Sequence, residues 1–299
     1  MIRRDDGFSG ELQAHEVLTS LQIAALPVNP FAIADRRNIA HQEKPGLAPG
    51  ISGCLMKVGD AFGILYSSRF ASEGFRRFNV AHELGHYFLP GHIDALFANG
   101  QQFHQSETGF TSDDKHEREA DSFAASLLMP KLLFKAECAK CGEGLDAVEA
   151  LAQLCVTSLT ATAIRYAKLC DQPVAVVCSK GDRVQFAFMS KPLQDYRGLT
   201  WIRKGSGLPA GTATANFNKD DGNVRNGKRI ASTSTLDIWF DGGGNTELNE
   251  HVVGLGEYGK TLTILWGDSL LDPEEEEQRE QEEEDDENLL PSQRRRDRW

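Results

Sequence analysis

The stretch with the most chemistry in it is His82-Glu83-Leu84-Gly85-His86. Histidines four residues apart lie on one face of a helix, where both imidazoles can grip a single metal ion. The glutamate between them projects beside that face and can polarise a water on the metal. A catalytic zinc takes three protein ligands and leaves its fourth position to water, so a third ligand has to come from elsewhere. Three residues compete for the place. His92 stands ten residues after His82, where a metzincin sets its third histidine, but the glycine such proteins need to turn the chain is Leu89 here, with Gly91 two places late. The other arrangement takes an acidic ligand from a later helix. Glu117 lies one turn before Asp121, on a side continued inward by Ala120, Ala124 and Leu127. A carboxylate on a buried stripe needs a partner, and a metal is one. Glu119 should point to a more solvated side, which makes it the weaker acidic choice. Asp121 can accept the outer N–H of a zinc histidine and so fix its tautomer.

The elements that carry these residues follow from periodicity and punctuation. Residues 76–89 read as a helix stopped by Pro90-Gly91, and residues 116–129 as a second helix ended by Pro130. Before them, Cys54-Leu55-Met56-Lys57-Val58, Gly59-Asp60 and Ala61-Phe62-Gly63-Ile64-Leu65-Tyr66 read as a β-hairpin with a tight turn. The first 53 residues suit a helix bearing Leu12, His15, Val17, Leu18, Leu21 and Ala25, followed by a proline-rich loop. Residues 91–114 are polar and rich in glycine, serine and aspartate, so a long loop is expected there. Between 131 and 170 the pattern is of short helices, with 146–154 and 158–169 set out as a helix-turn-helix. From 173 to 266 it turns to β, with strands at 174–177, 184–188, 234–240 and 261–266 separated by glycine-rich turns.

Charge excludes some functions. The chain carries a net −12, but residues 272–299 hold thirteen acidic side chains against five arginines, a net of −8, which leaves the other 271 residues at −4. A body of that charge has no broad attraction for DNA or anionic membranes. The second helix of the helix-turn-helix offers only Arg165 and Lys168 as cations, too few for tight phosphate binding. No run of about 18 apolar residues could span a membrane, and the N-terminus lacks the apolar stretch of a secretory signal. The six cysteines lack the density of a disulfide scaffold. Cys138-Ala139-Lys140-Cys141 has metal-ligand spacing but no second pair at zinc-ribbon distance. A cytoplasmic protein is expected. The tail after Pro273, an acidic block followed by Arg294-Arg295-Arg296, is too polar to bury a core.

Two stretches together carry a family resemblance. Arg77-Phe78-Asn79-Val80-Ala81-His82-Glu83-Leu84-Gly85-His86-Tyr87-Phe88-Leu89 and Glu117-Arg118-Glu119-Ala120-Asp121-Ser122-Phe123-Ala124-Ala125-Ser126-Leu127-Leu128-Met129-Pro130 resemble the ImmA/IrrE metallo-endopeptidases. The likeness covers residues 50–130 most firmly. Ser158-Leu159-Thr160-Ala161-Thr162-Ala163-Ile164-Arg165-Tyr166 and Tyr258-Gly259-Lys260-Thr261-Leu262-Thr263 are similar to longer members. The resemblance implies a minimal zincin domain, a helix-turn-helix module and a GAF-like sensor domain, with helix-turn-helix repressors as substrates. Family members often carry an N-terminal DNA-binding domain, and none is expected in this sequence.

The resulting expectation is an α+β chain: a zincin peptidase domain at 1–130, a helix-turn-helix-like module at 131–170, a β-rich domain compatible with a sensory role at 171–271, and an acidic disordered tail at 272–299. Its expected cofactor is Zn2+, with Mn2+ as the alternative, bound by His82, His86 and Glu117. Glu83 is the expected general base and Asp121 the outer partner of a ligand. The hairpin edge would pair with an extended substrate, and His92, His104 or His116 would supply an oxyanion donor. The rival reading is a non-proteolytic repressor-binding or antitoxin-like regulator with a structural zinc; an intact Glu83 argues against it, since a structural site needs no base.

Overall fold

A computed structural model describes residues 5–267 apart from 46, 49, 68–71, 108–113, 197, 241 and 243. The acidic tail, expected to be disordered, lies outside the described residues. The chain is a mixed helix and sheet protein that divides into two compact units, Met1–Leu169 and Cys170–Trp299.

The first unit opens with α1 (Asp5–Ser20), α2 (Pro30–Arg36) and β1 (Ala40–Lys44). The hairpin β2 (Ile51–Val58) and β3 (Ala61–Ser67) follows, then α3 (Glu73–Phe88), α4 (His92–Leu96), β4 (Phe103–Glu107) and α5 (Lys115–Leu128). Ser72 caps α3 by accepting from the Phe75 amide, and Asp114 caps α5 by accepting from the amides of His116 and Glu117. The sheet order is β1-β3-β2-β4, with β1 parallel to β3 and the other pairs antiparallel. Helix α3 lies across β2 and β3 and packs on α5, which packs on α1. Leu55 and Ile64 from the sheet meet Val80, Ala81 and Leu84 of α3, Phe123, Leu127 and Leu128 of α5, and Val17 and Leu18 of α1 in one core. Gly85 lets the two central helices approach. A Cβ there would lie 3.1 Å from the Ala120 Cα, so the pair at 85 and 120 brings the start of α5 against the histidine face of α3.

Two expectations need correcting here. The loop expected over 91–114 contains α4, a 3-10 turn (Ala98–Gly100) and β4. Helix α4 is a single turn, and β4, Phe-His-Gln-Ser-Glu, turns half-buried His104 and buried Ser106 inward rather than an apolar row, so neither gave a hydrophobic period. Because β4 pairs with β2 and β1 with β3, neither edge of the hairpin is open for a substrate. Strand β4 ends the sheet instead.

The unit continues through α6 (Lys131–Cys138), α7 (Gly144–Cys155) and α8 (Leu159–Leu169). The last two meet at 112° about Val156, whose φ is +53°. This resembles a helix-turn-helix in outline, but α8 is a core helix, buried from Ala161 to Ala167. Arg165 donates through Nε to the Met129 carbonyl at 3.0 Å and through Nη2 to Glu11 at 3.1 Å. It is therefore engaged inside the unit. Cys138 closes α6 and Cys141 follows three residues later, both half-buried. No single helix among the described residues is long and apolar enough to cross a membrane. The bent α7–α8 pair passes by length and composition alone.

The second unit is built on β5 (Val174–Lys180), β6 (Arg183–Met189), α9 (Lys191–Asp195), α10 (Ala213–Phe217), α11 (Asp221–Arg225), β7 (Arg229–Thr235), α12 (Leu236–Trp239), β8 (Glu247–Gly254) and β9 (Thr261–Trp266). Its five strands run antiparallel in the order β6-β5-β9-β8-β7. The strand expected at 234–240 is the end of β7 followed by α12. Leu236, Trp239 and Phe240 are buried, and their spacing of three and four is that of a helix face. Strand β8 was not anticipated, because its buried row includes Glu250. That carboxylate is fully buried but accepts from the Thr214 amide and hydroxyl, both at 2.7 Å, so it pins α10 to the sheet.

Candidate metal centre

Helix α3 turns His82 and His86 to the same side, and the first turn of α5 brings Glu117 opposite them. The two Nε2 atoms are 3.1 Å apart, and each lies 3.3 Å from an oxygen of Glu117. With zinc–nitrogen bonds of about 2.0–2.1 Å, the edge of a coordination tetrahedron is about 3.3–3.4 Å. The donor set and its spacing thus fit a tetrahedral zinc with one position left over. Among the described residues this is the one such cluster.

Each of these residues is gripped from behind. Nδ1 of His82 is 2.9 Å from Asp121 Oδ1. Nδ1 of His86 is 3.1 Å from Nδ1 of His92, whose Nε2 is 3.2 Å from Glu119 Oε2. Nε2 of His104 is 3.0 Å from Glu117 Oε1. The register of β4 on β2 sets His104 opposite Leu55 and Ser106 opposite Gly53, so both face α3 with those residues.

Electrostatics separate the ligands. Burial opposes a charge on His82, but hydrogen bonds with Asp121 and Glu117 outweigh it and raise the pKa to about 10. Burial pushes His86 down to about 3, more than Glu117 can restore. Burial also works against ionising Glu117, yet hydrogen bonds from His104, His82 and His86 prevail and hold its carboxyl well below the usual range. Burial lowers His92 as well, against the pull of Glu119.

Glu83 is 0% exposed, and neither carboxylate oxygen has a hydrogen-bond partner among the described residues. Burial lifts its pKa to about 7, against the pull of His82 and of the nearby Ser106 hydroxyl, which is not aligned for a hydrogen bond of ordinary geometry. A buried, unpartnered carboxylate is costly for a fold to keep, and groups of this kind concentrate where protons are moved. Its place depends on Gly53: a Cβ there would come within 2.3 Å of Glu83 Oε1.

The structure thus brings His82, Glu83, His86, Glu117 and Asp121 together. It sets the competing candidates Glu119 and His92 behind His86. Glu119 is not on a solvated side as expected. It is 7% exposed, and its carboxylate meets His92 of α4 at 3.2 Å. Of the three oxyanion candidates, His104 meets Glu117, while His92 touches only the back of His86. His116 stacks edge-on against His92 at 4.8 Å. Sequence reasoning missed the contacts of His104 and the His92–Glu119 pair, which join elements distant along the chain and leave no local signal.

Comparison with known proteins agrees with this class of site. Residues 23–164 match the family model of the IrrE N-terminal-like domain, Peptidase M78. Together with the His-His-Glu cluster, the match defines a metallopeptidase-like domain. Over those residues the match supports an ImmA/IrrE family protein. Among solved structures, a Mycobacterium tuberculosis transcriptional regulator matches with a TM-score of 0.53 at 12% identity, over 88% of this chain and 77% of that one. At such identity the likeness concerns the fold alone. No curated protein matches the chain by sequence.

Proposed function

We propose that this chain is a zinc-dependent endopeptidase that cleaves a helix-turn-helix transcriptional repressor in the cytoplasm and so derepresses phage-like or stress genes. His82, His86 and Glu117 hold the metal, Glu83 is the general base and Asp121 orients His82. The observation that carries the reading is the pairing of a tetrahedral donor set with a buried, unpartnered carboxylate next to it on the same helix. Zinc, when bound, polarises the scissile carbonyl and acidifies a water; Mn2+ can take the same ligands. Glu83, with a pKa near neutrality, accepts the water proton and passes it to the leaving amine. His104 steers the Glu117 carboxylate. The open edge of β4, rather than the hairpin, receives an extended segment by main-chain pairing.

Repressor cleavage rests on the family's known substrates, and the solved neighbour named a transcriptional regulator is compatible with it. A peptidase role rather than tight DNA binding is supported by the mild charge of the body and by the engagement of Arg165 inside the first unit. The sheet of the second unit suits a sensory, GAF-like role, and the helices at 131–170 a packing role. The test is to incubate the chain and zinc with the repressor encoded nearest to its gene. Two fragments from wild type and none from Glu83→Gln are expected, with zinc content equal in both. Casein degraded as readily as the repressor, or equal cleavage by Glu83→Gln, would refute the proposal.

A further inference from the structure

The outer partners of the two histidines differ in kind. His82 meets a carboxylate directly, at 2.9 Å in Asp121. His86 meets a second imidazole, His92, and only through it a carboxylate, Glu119. We propose that His92 and Glu119 are positioning residues, forming an imidazole–carboxylate relay that holds His86 in the one tautomer able to bind a metal through Nε2. The inference rests on the peptidase reading for the identity of the site, but its geometry stands apart from the substrate.

Hydrogen counting fixes the direction of the relay. A neutral imidazole carries one N–H and one lone pair. If Nε2 of His86 gives its lone pair to a metal, its proton is on Nδ1 and must be donated to an acceptor. The atom there is Nδ1 of His92, 3.1 Å away, so that nitrogen must be bare. The proton of His92 then sits on Nε2 and is donated to Glu119 Oε2 at 3.2 Å. Lys115 Nζ lies 3.6 Å from the other oxygen of Glu119 and pairs with it. An imidazolium at 92 would have no lone pair for His86, so the relay works only with a neutral His92. His86, His92 and Glu119 are 0%, 2% and 7% exposed, which leaves water little access to replace any link.

The arrangement also ties three elements to one ligand. His86 belongs to α3, His92 to α4 and Glu119 to α5. The single turn of α4, entered through Gly91 at a φ of +80°, thereby presents the acceptor for a metal ligand. Glu117 and Glu119 then share the labour of one helix, two residues apart, one facing the metal and the other the back of a ligand.

The test measures zinc affinity in the full chain, by competition with a chromophoric chelator, beside the melting temperature of the metal-free protein. Outer partners of metal-bound histidines are typically worth about 10- to 100-fold in affinity. His92→Phe, which keeps ring volume and removes the acceptor, should lose about that much with the metal-free melting temperature unchanged. His92→Asn, whose Oδ1 stands near the position of the lost Nδ1, should recover most of it, and Glu119→Gln should fall between. In wild type labelled with 15N at histidine and loaded with zinc, His92 should be protonated at Nε2 and bare at Nδ1. This spectrum decides the matter even if His92→Phe fails to fold. Zinc affinity of His92→Phe within about twofold of wild type, or a proton on His92 Nδ1, would overturn the relay alone. A wild type that takes up no zinc would overturn the peptidase reading with it.

Discussion

Replacing Gly53 by alanine tests how closely the general base is held. In the structure an added Cβ would lie 2.3 Å from Glu83 Oε1, 3.1 Å from its Cδ and 3.2 Å from its Cγ. Ordinary contact begins near 3.4 Å, so the carboxylate must retreat by about 1 Å. A misplacement of about 1 Å in a reacting group can cost about 10²-fold in rate. The strand backbone at 53 needs no left-handed conformation, so the alanine fits the fold and its small gain from a stiffer unfolded chain, about 0.4–1 kcal/mol, offsets part of any crowding cost. The expected result is a kcat on the cognate repressor lowered about 10²-fold, with zinc content and melting temperature close to wild type. The double variant Gly53→Ala with Glu83→Gln should be no slower than Glu83→Gln alone, since both changes disable one group. Full activity in Gly53→Ala would refute the reasoning, because Glu83 would then not need the position it occupies here.

Other consequences are measured more directly. Glu117→Ala should lose most of its zinc by metal analysis; full occupancy with unchanged activity would return the third place to Glu119 or His92. His82, with a pKa raised to about 10, holds a proton at pH 7 in the metal-free protein and must release it to become a ligand. Calorimetry in buffers of different ionisation enthalpy should therefore find about one proton released per zinc, with affinity rising about tenfold per pH unit from neutrality towards 10. Affinity independent of pH would contradict this. Deleting residues 272–299 should leave zinc content and melting temperature unchanged, since that segment has few residues able to join a core; a large fall in melting temperature would show that it docks on the body.

Much of this was legible because the chemistry is local. A four-residue spacing on a helix is a property of the chain itself, so the pairing of His82 with His86 and the place of Glu83 between them needed no tertiary information. The prolines at 90 and 130 and the hairpin turn at Gly59-Asp60 act through their own backbone preferences, and they punctuate the fold as expected. Where polar residues face inward, the hydrophobic period vanishes. That is why β4, carrying His104 and Ser106, and β8, carrying Glu250, were passed over, and why Glu119 was set on a solvated side when it in fact meets His92 of α4.

The sequence by itself determined which residues could make a metal site and which helix would carry two of them, since both depend on covalent order and helix geometry. The tertiary structure decided what stands around them. The approach of α5 at Gly85 sets Glu117 across from the histidines, β4 brings His104 to the cluster, and α4 places His92 between His86 and Glu119. These contacts join residues as far apart as 39 positions, His82 with Asp121. They arise only when burying the shared core of α1, α3 and α5 compels the packing, and no spacing along the chain encodes that distance.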